Sequence, residues 1–441
     1  MLRFGTDGIR GRAYKELLPD DVIALAQAAA EVLNPSTPVI IGRDTRESSP
    51  DFAAALAAGF SAVGVSTIDM GVAPTPAVAW AAAHDHTPGA VVSASHNPWS
   101  DNGVKLFSPG GRKLDDKTQA TLESALDDPN RSTVSTIGAP QRTSDGSGLL
   151  QQYQDAVAST AHFDGRDLHV VVDAAHGSAT AVLPGPLQAR NVTVTVINAE
   201  PDGRNINRQC GSTHPEAVAQ AVHEQNADLG LTFDGDADRV LAVDHTGKLV
   251  DGDQIIAICA ADRHQRGQLP GNTVVVTVMT NLGFHRAMAQ RGIHVVTTPV
   301  GDRHVWAALQ DGDWELGGEQ SGHVIFPSLA TTGDGLVTAL QLLDVVARRE
   351  MPLHDLAAEA MTKMPQVLHN VPIDPGSIDS DRMSAAVADA EKILGSRGRV
   401  LVRPSGTEPV IRIMVEAETV ETADSIAHEL VAASQHWTTY P

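Results

Sequence analysis

Three times along the chain a short run of β-branched residues leads through a polar loop and a helical stretch to a second such run. Val39-Ile40-Ile41 leads through the Ala-rich stretch 52–62 to Val65, Val170-Val171-Val172 leads to the run 192–197, and Val274-Val275-Val276 leads through 284–290 to Val295-Val296. Strand-like runs alternating with helices commit a chain to layered α/β units, because each sheet must bury its apolar faces under the helices that follow. The recurrence predicts three α/β domains of related plan and little shared sequence. After the helix-like stretch 336–349 and Met351-Pro352 the pattern changes. Strand-like 367–373, a helix over 381–394, strands at 400–402 and 410–415 and a helix over 422–433 predict a smaller α+β unit. Residues 127–148, rich in Ser, Thr, Gly, Pro and Asp, are the best candidate linker. The expected domains are 1–150, 151–246, 247–360 and 361–441.

The formal charge of -22 over 441 residues disfavours nucleic acid and anionic membrane as partners, since a polyanion would be repelled over most of the surface. A phosphate site on such a chain has to be built locally from Arg, Lys and backbone N–H groups. Cys210 and Cys259 stand far apart and outside any Cys-x-x-Cys pattern, which fits a reduced compartment and argues against a disulfide framework or thiolate zinc site. The first residues lack the apolar core of a signal peptide, and no apolar run approaches a membrane span, so the expectation is a cytoplasmic protein.

The run Leu229 to Phe233 opens into Asp234-Gly235-Asp236-Ala237-Asp238-Arg239, three carboxylates at alternate positions. Clustered like charges repel unless a cation sits among them, so the segment reads as a loop for a hard divalent ion, Mg²⁺ first. A solvated acidic turn is the bland alternative. An EF-hand is excluded, because its sixth and twelfth positions would fall on Arg239 and His245.

Other polar, glycine-bearing loops accompany it: Gly5-Thr6-Asp7-Gly8-Ile9-Arg10-Gly11, Ser93-Ala94-Ser95-His96-Asn97-Pro98 with Asp101-Asn102-Gly103-Val104-Lys105, Gly317-Gly318-Glu319-Gln320-Ser321-Gly322-His323, and Arg403 through Pro409 with Arg412. Five loops in this order resemble the α-D-phosphohexomutase superfamily, and most closely its phosphoglucosamine mutase branch, over nearly the whole chain. The resemblance implies an α/β fold of three similar mixed-sheet domains followed by a smaller α+β C-terminal domain. It implies Mg²⁺, one per chain, and a small phosphosugar as the partner, in a monomer or homodimer.

By the same resemblance Ser95 is the phosphoserine that gives its phosphoryl group to the sugar and recovers one, and the ion bridges Ser95 with Asp234, Asp236 and Asp238. Lys105 and His323, the latter helped by Arg10, become acid and base; a lysine base near neutral pH needs neighbours such as Arg or Mg²⁺ to depress it. Glu319 and Ser321 suit adjacent sugar hydroxyls, and Gln320 stands where mannose and glucose relatives usually carry Met. Arg403, Ser405, Gly406, Thr407 and Arg412 would cradle the phosphate that is not reacting. Activity would require priming by glucosamine 1,6-bisphosphate or by a kinase.

Several alternatives stand beside this one. A Ser95–His96 hydrolase lacks the Gly-x-Ser-x-Gly elbow, and sequence neighbours in a turn rarely aim at each other. A haloacid-dehalogenase-like transferase with Asp234 as nucleophile expects Thr or Val where Asp238 stands. A sibling mutase for mannose or glucose phosphates and a catalytically silent sugar-phosphate binder complete the set. His84-Asp85-His86 reads as a solvated turn, and Thr332-Gly333-Asp334 as the cap of the next helix.

Overall fold

The computed structural model describes residues 3–5, 8–128, 142–372, 378–404 and 410–437, and these fall into two compact units. The larger, 1–279 with 292–360, holds three sheets. In the first, β1 (Ile9–Arg12), β2 (Val39–Arg43), β3 (Thr67–Val72), β4 (Gly89–Val92), β5 (Asp101–Phe107) and β6 (Thr143–Asp145) lie in the order β1-β5-β4-β2-β3-β6. The second orders β7 (His169–Asp173), β8 (Thr193–Ile197), β9 (Leu229–Phe233), β10 (Val240–Asp244) and β11 (Leu249–Val250) as β11-β10-β9-β7-β8. The third orders β12 (Thr273–Thr277), β13 (His294–Thr298), β14 (Gly317–Gly318) and β15 (Val324–Ile325) as β13-β12-β14-β15.

All three sheets share one device. A parallel core ends in a strand that pairs antiparallel with the next strand of the chain: β4 with β5, β9 with β10, β14 with β15. The central parallel strands β2, β4, β7 and β12 are almost wholly buried, as in Val170-Val171-Val172, because helices cover both faces. The three connections, residues 93–100, 234–239 and 319–323, carry the sequence motifs at equivalent places. The repeat seen in the sequence is therefore a repeat of motif-bearing hairpin tips as well as of strands.

The expected linker is in part structure. Thr143–Asp145 pairs parallel with β3, and the helix Ser147–Ser159 starts two residues on. All three residues of β6 are exposed, so this edge strand has no apolar alternation to announce it. Residues 129–141 of that linker lie outside the described residues.

The smaller unit, 280–291 with 361–441, orders β16 (Gln366–Pro372), β17 (Arg399–Pro404) and β18 (Val410–Glu416) as an antiparallel β16-β18-β17 sheet. Helices Ser380–Leu394 and Val420–Ser434 cover it, burying Ile411, Ile413, Val415, Ile426 and Trp437. The helix Leu282–Gln290, expected in the third α/β unit, groups with this one. Its cap explains the difference: the Asn281 carboxamide accepts from Gly283 N and donates to Met364 O and to Glu416 Oε1 at 3.0 and 3.1 Å. No described helix is long and apolar enough to cross a membrane.

Candidate active site

Ser95 sits at the tip between β4 and β5 with φ of 53°, a left-handed conformation that costs a non-glycine residue about 1–2 kcal/mol. Arg46 supports it. This wholly buried guanidinium donates Nε to Asp44 Oδ2 at 2.7 Å, Nη2 to Ser95 O and Asn97 O at 2.9 Å each, and Nη1 to Asp101 O at 2.9 Å and to Pro98 O. Asn207 Nδ2 adds a bond to Ser95 O at 2.8 Å, and Ser93 Oγ ties the loop to Asp44. Neither Arg46 nor Asn207 stood out in the sequence. The signal for Arg46 was its place just past the carboxyl end of β2, where parallel sheets collect ligand-facing residues.

The serine hydroxyl points at the acidic loop. Ser95 Oγ donates to Asp234 Oδ2 at 2.6 Å. The approach depends on Gly235, where a Cβ would lie 2.6 Å from Ser95 O and 2.9 Å from Asn207 Nδ2. Contrary to the expectation for sequence neighbours, His96 Nδ1 also lies 3.2 Å from Ser95 Oγ, because the left-handed turn folds the ring back over the hydroxyl. Burial, then the charges of Arg239 and Arg10, push the His96 imidazole down to about 4, so it is neutral near pH 7.

Asp234, Asp236 and Asp238 are at most 2% exposed, and one ligand atom from each lies within 4.8 Å of the others. Burial, reinforced by the other two aspartates, raises the Asp234 carboxyl well above the usual carboxylate range. Burial acts the same way on Asp238, yet Lys105 and His323 outweigh it and hold that group well below the range. Asp236 Oδ1 and Asp238 Oδ1 are buried with no hydrogen-bond partner among the described residues. An all-oxygen set with two such lone-pair donors fits a hard divalent cation and can bind a metal.

Lys105 Nζ donates to Asp236 Oδ2 at 2.7 Å and Asp238 Oδ2 at 3.0 Å. A lysine base would need Arg or Mg²⁺ nearby to depress it; the groups that Lys105 reaches are two carboxylates, because β5 runs antiparallel beside β4 and aims it into the acidic loop. His323 is also buried, with Nδ1 3.6 Å from Asp238 Oδ1 and Nε2 3.5 Å from Asp302 Oδ2. Burial lowers its imidazole, but the Asp238 and Asp302 charges more than reverse that and leave it raised. Asp302 in turn pairs with Lys113. Gly333 lies flat on the ring and donates its N–H to Nε2 at 3.2 Å; a Cβ there would be 2.4 Å from that atom. Asp334 caps the following helix through Leu336 N and Val337 N.

On the β14–β15 loop, Glu319 Oε1 accepts from Gly301 N at 3.0 Å and Ser321 Oγ is buried without a partner among the described residues. Gln320 Nε2 donates to Asp251 Oδ2 at 3.3 Å. Arg10 is on β1 opposite Gly103, close enough to depress His96. The larger unit thus brings together Ser95, the three aspartates, Lys105 and His323, with Arg10 beside His96. In the smaller unit Arg403 and Arg412 are cross-strand partners on β17 and β18. Burial and then Arg412 push the Arg403 guanidinium below its ordinary value. Ser405, Gly406 and Thr407 lie outside the described residues. His84, expected in a loop, ends the helix Thr75–His84, with Nδ1 2.7 Å from exposed Asp85 and its ring stacked on Trp80.

Comparison with known proteins agrees with this geometry. Residues 1–132, 151–247 and 251–364 match the phosphoglucomutase/phosphomannomutase alpha/beta/alpha domains I, II and III, and residues 353–433 match the C-terminal domain. A phosphoglucosamine mutase of Frankia alni is 49% identical over 97% of both chains. A phosphoglucomutase/phosphomannomutase family protein from Burkholderia thailandensis superposes with a TM-score of 0.82 at 25% identity, covering 99% of this chain and 98% of its own. Aspergillus fumigatus N-acetylphosphoglucosamine mutase, solved with GlcNAc-6P and magnesium, has the same fold at a TM-score of 0.71 and 18% identity, over 100% and 96% of the two chains. With all four domain types present in order and near-full-length identity to a curated relative, the chain belongs to the phosphoglucomutase/phosphomannomutase family of phosphohexomutases, alongside its phosphoglucosamine mutases.

Proposed function

We infer that the chain interconverts glucosamine 6-phosphate and glucosamine 1-phosphate through a phosphoserine enzyme and a 1,6-bisphosphate. The observation that carries this reading is the 2.6 Å bond from Ser95 Oγ to Asp234, a hydroxyl held against a carboxylate cluster fit for a cation. The phosphoryl group of phosphorylated Ser95 passes to O1 of the sugar, O1 loses its proton, and Ser95 Oγ regains one. After the bisphosphate turns around, O6 returns its phosphoryl group to Ser95, Ser95 Oγ losing its proton and O6 regaining one. His96, neutral and 3.2 Å from Oγ, and Asp234 are the groups placed to take or return that serine proton.

Asp234, Asp236, Asp238 and Ser95 would hold Mg²⁺, one per chain, which when bound supplies Lewis-acid stabilisation of the transferring oxygens. Lys105 and His323 border the same cluster and serve the sugar hydroxyls, with Arg10 assisting. Glu319 and Ser321 take sugar hydroxyls, the Ser321 Oγ without a partner being ready for one. Gln320, its Nε2 committed to Asp251, keeps an Oε1 acceptor suited to the amino group. Arg403 and Arg412 with Ser405, Gly406 and Thr407 bind the idle phosphate. In this reading the domains are 1–150, 151–246, 247–360 and 361–441, the enzyme works in the cytoplasm as a monomer or homodimer, and a bisphosphate or a kinase primes it.

Two measurements test it together. Peptide mapping by mass should find a phosphoryl group on Ser95 after priming, and primed enzyme with Mg²⁺ should turn over glucosamine 6-phosphate faster than mannose or glucose 6-phosphate. Turnover without phosphate on Ser95 or primer contradicts the mechanism. Faster rates on mannose or glucose phosphates move the chain to the sibling activity.

A further inference from the structure

The smaller unit carries a second cluster of metal-binding side chains, unconnected with the proposed mutase chemistry. One candidate ligand atom from each of His369, Asp424 and His428 lies within 4.8 Å of the other two. His369 is on β16, on the same face as Val367 and Val371, both packed against the unit's apolar core. An imidazole in that row interrupts an apolar face, and its Nε2 is buried with no hydrogen-bond partner among the described residues. Buried donors and acceptors are almost always satisfied, so this nitrogen calls for a partner.

The neighbouring groups can supply it. Asp424 and His428 are four residues apart on the helix Val420–Ser434, so they project one turn apart from one face. The rings of His369 and His428 have centroids 5.1 Å apart. His428 Nδ1 is 2.9 Å from Asp424 O and 3.3 Å from its carboxylate. A proton on Nδ1 shared with that carbonyl leaves Nε2 with its lone pair, the orientation that a metal-bound imidazole takes from such outer contacts.

We propose that His369, Asp424 and His428 form a binding site for a zinc-class transition metal, with two imidazoles and one carboxylate as ligands and a fourth position left to water. Two nitrogens and one oxygen suit Zn²⁺, Ni²⁺ or Cu²⁺ and disfavour Mg²⁺ or Ca²⁺, the reverse of the all-oxygen Asp234 cluster. Bonds of about 2.0–2.2 Å in a tetrahedron bring donors closer than 4.8 Å. Asp424 and His428, with side chains 50% and 63% exposed, are free to rotate inward by that amount. Only a neutral imidazole ligates, so metal and protons compete for the site and binding is weaker in acid.

The test uses the full chain, stripped by chelator and then held in excess Mg²⁺ so that the aspartate cluster is saturated. Titration with Co²⁺ should give one equivalent bound with the visible absorption of four-coordinate cobalt, displaced by Zn²⁺. His428→Ala, on an exposed helix face, should lose that absorption and more than about 100-fold in affinity, beyond the cost of removing an outer contact. His369→Gln should do the same, and added Zn²⁺ should raise the unfolding temperature of the parent chain only. No cobalt absorption in the parent chain, or absorption unchanged in both variants, overturns the proposal.

Discussion

The hairpin tips of the larger unit and the paired arginines of the smaller one solve the handling of charge in opposite ways. Around the tips, cations reach in among carboxylates: Lys105 lies between Asp236 and Asp238, and His323 between Asp238 and Asp302. On β17 and β18, Arg403 and Arg412 face each other across the ladder, and like charges directly opposite repel. The first arrangement interleaves opposite charges around the Ser95 hydroxyl; the second sets two guanidiniums side by side, which suits the phosphate-binding role proposed for them. In the proposed function, binding of the idle phosphate and reaction at Ser95 therefore fall to regions built on different electrostatic plans.

The largest expected effect removes the hydroxyl. Ser95→Ala should lower turnover by more than about a thousandfold, the scale on which loss of a covalent nucleophile is felt. Its unfolding free energy should change by only about 1 kcal/mol, for the lost bond to Asp234. Retained turnover would end the contrast, since the compensated region would then have no chemical role.

Next comes the pH dependence of the buried region. The Asp334 carboxyl is pushed up to about 6 by burial, against bonds from Val337 N, Tyr153 and Leu336 N. Its folded value exceeds its unfolded one, so the proton favours the folded state. The stabilisation is complete below about pH 4 and is lost as pH rises through 6, and two units correspond to about 3 kcal/mol. Asp334→Asn keeps a cap oxygen and should flatten this fall in urea titrations between pH 4 and 6. An unchanged slope would show that burial exerts no such cost there.

A smaller effect should follow Arg403→Ala. Losing one charge-assisted grip of about 1.5–3 kcal/mol predicts a fall in kcat/KM of about 10–100-fold and weaker competitive inhibition by inorganic phosphate. Unaltered phosphate inhibition would break the comparison on its anion-binding side. Finally, Gly333→Ala puts a methyl into the His323 ring and should destabilise the chain by about 1–3 kcal/mol. The limb of the pH–rate profile due to His323 should shift with it, and a profile identical to the parent would remove His323 from proton transfer.

Much of this was legible in the sequence because it was written in apolar runs and in clustered charge. Val39–Ile41, Val170–Val172 and Val274–Val276 are β2, β7 and β12 in the places expected, and the alternating aspartates lie on one hairpin tip. What escaped was written in tertiary contact alone. Arg46 reads as one more polar loop residue until its guanidinium is seen under the carbonyls of a loop about fifty residues away. The strand Thr143–Asp145 is exposed at a sheet edge, where pairing needs no apolar pattern. The turn of His96 onto Ser95 follows from a left-handed backbone that no sequence rule requires of serine.

Arg46 has a consequence of its own. Each of its five N–H groups is committed, four of them to carbonyls of the segment that carries Ser95. A strip of peptide fastened at four points by one rigid plane has no graded way to loosen, since slackening any point tilts the plane away from the others. The backbone under Ser95 is therefore clamped by a side chain that has no donor left to trade.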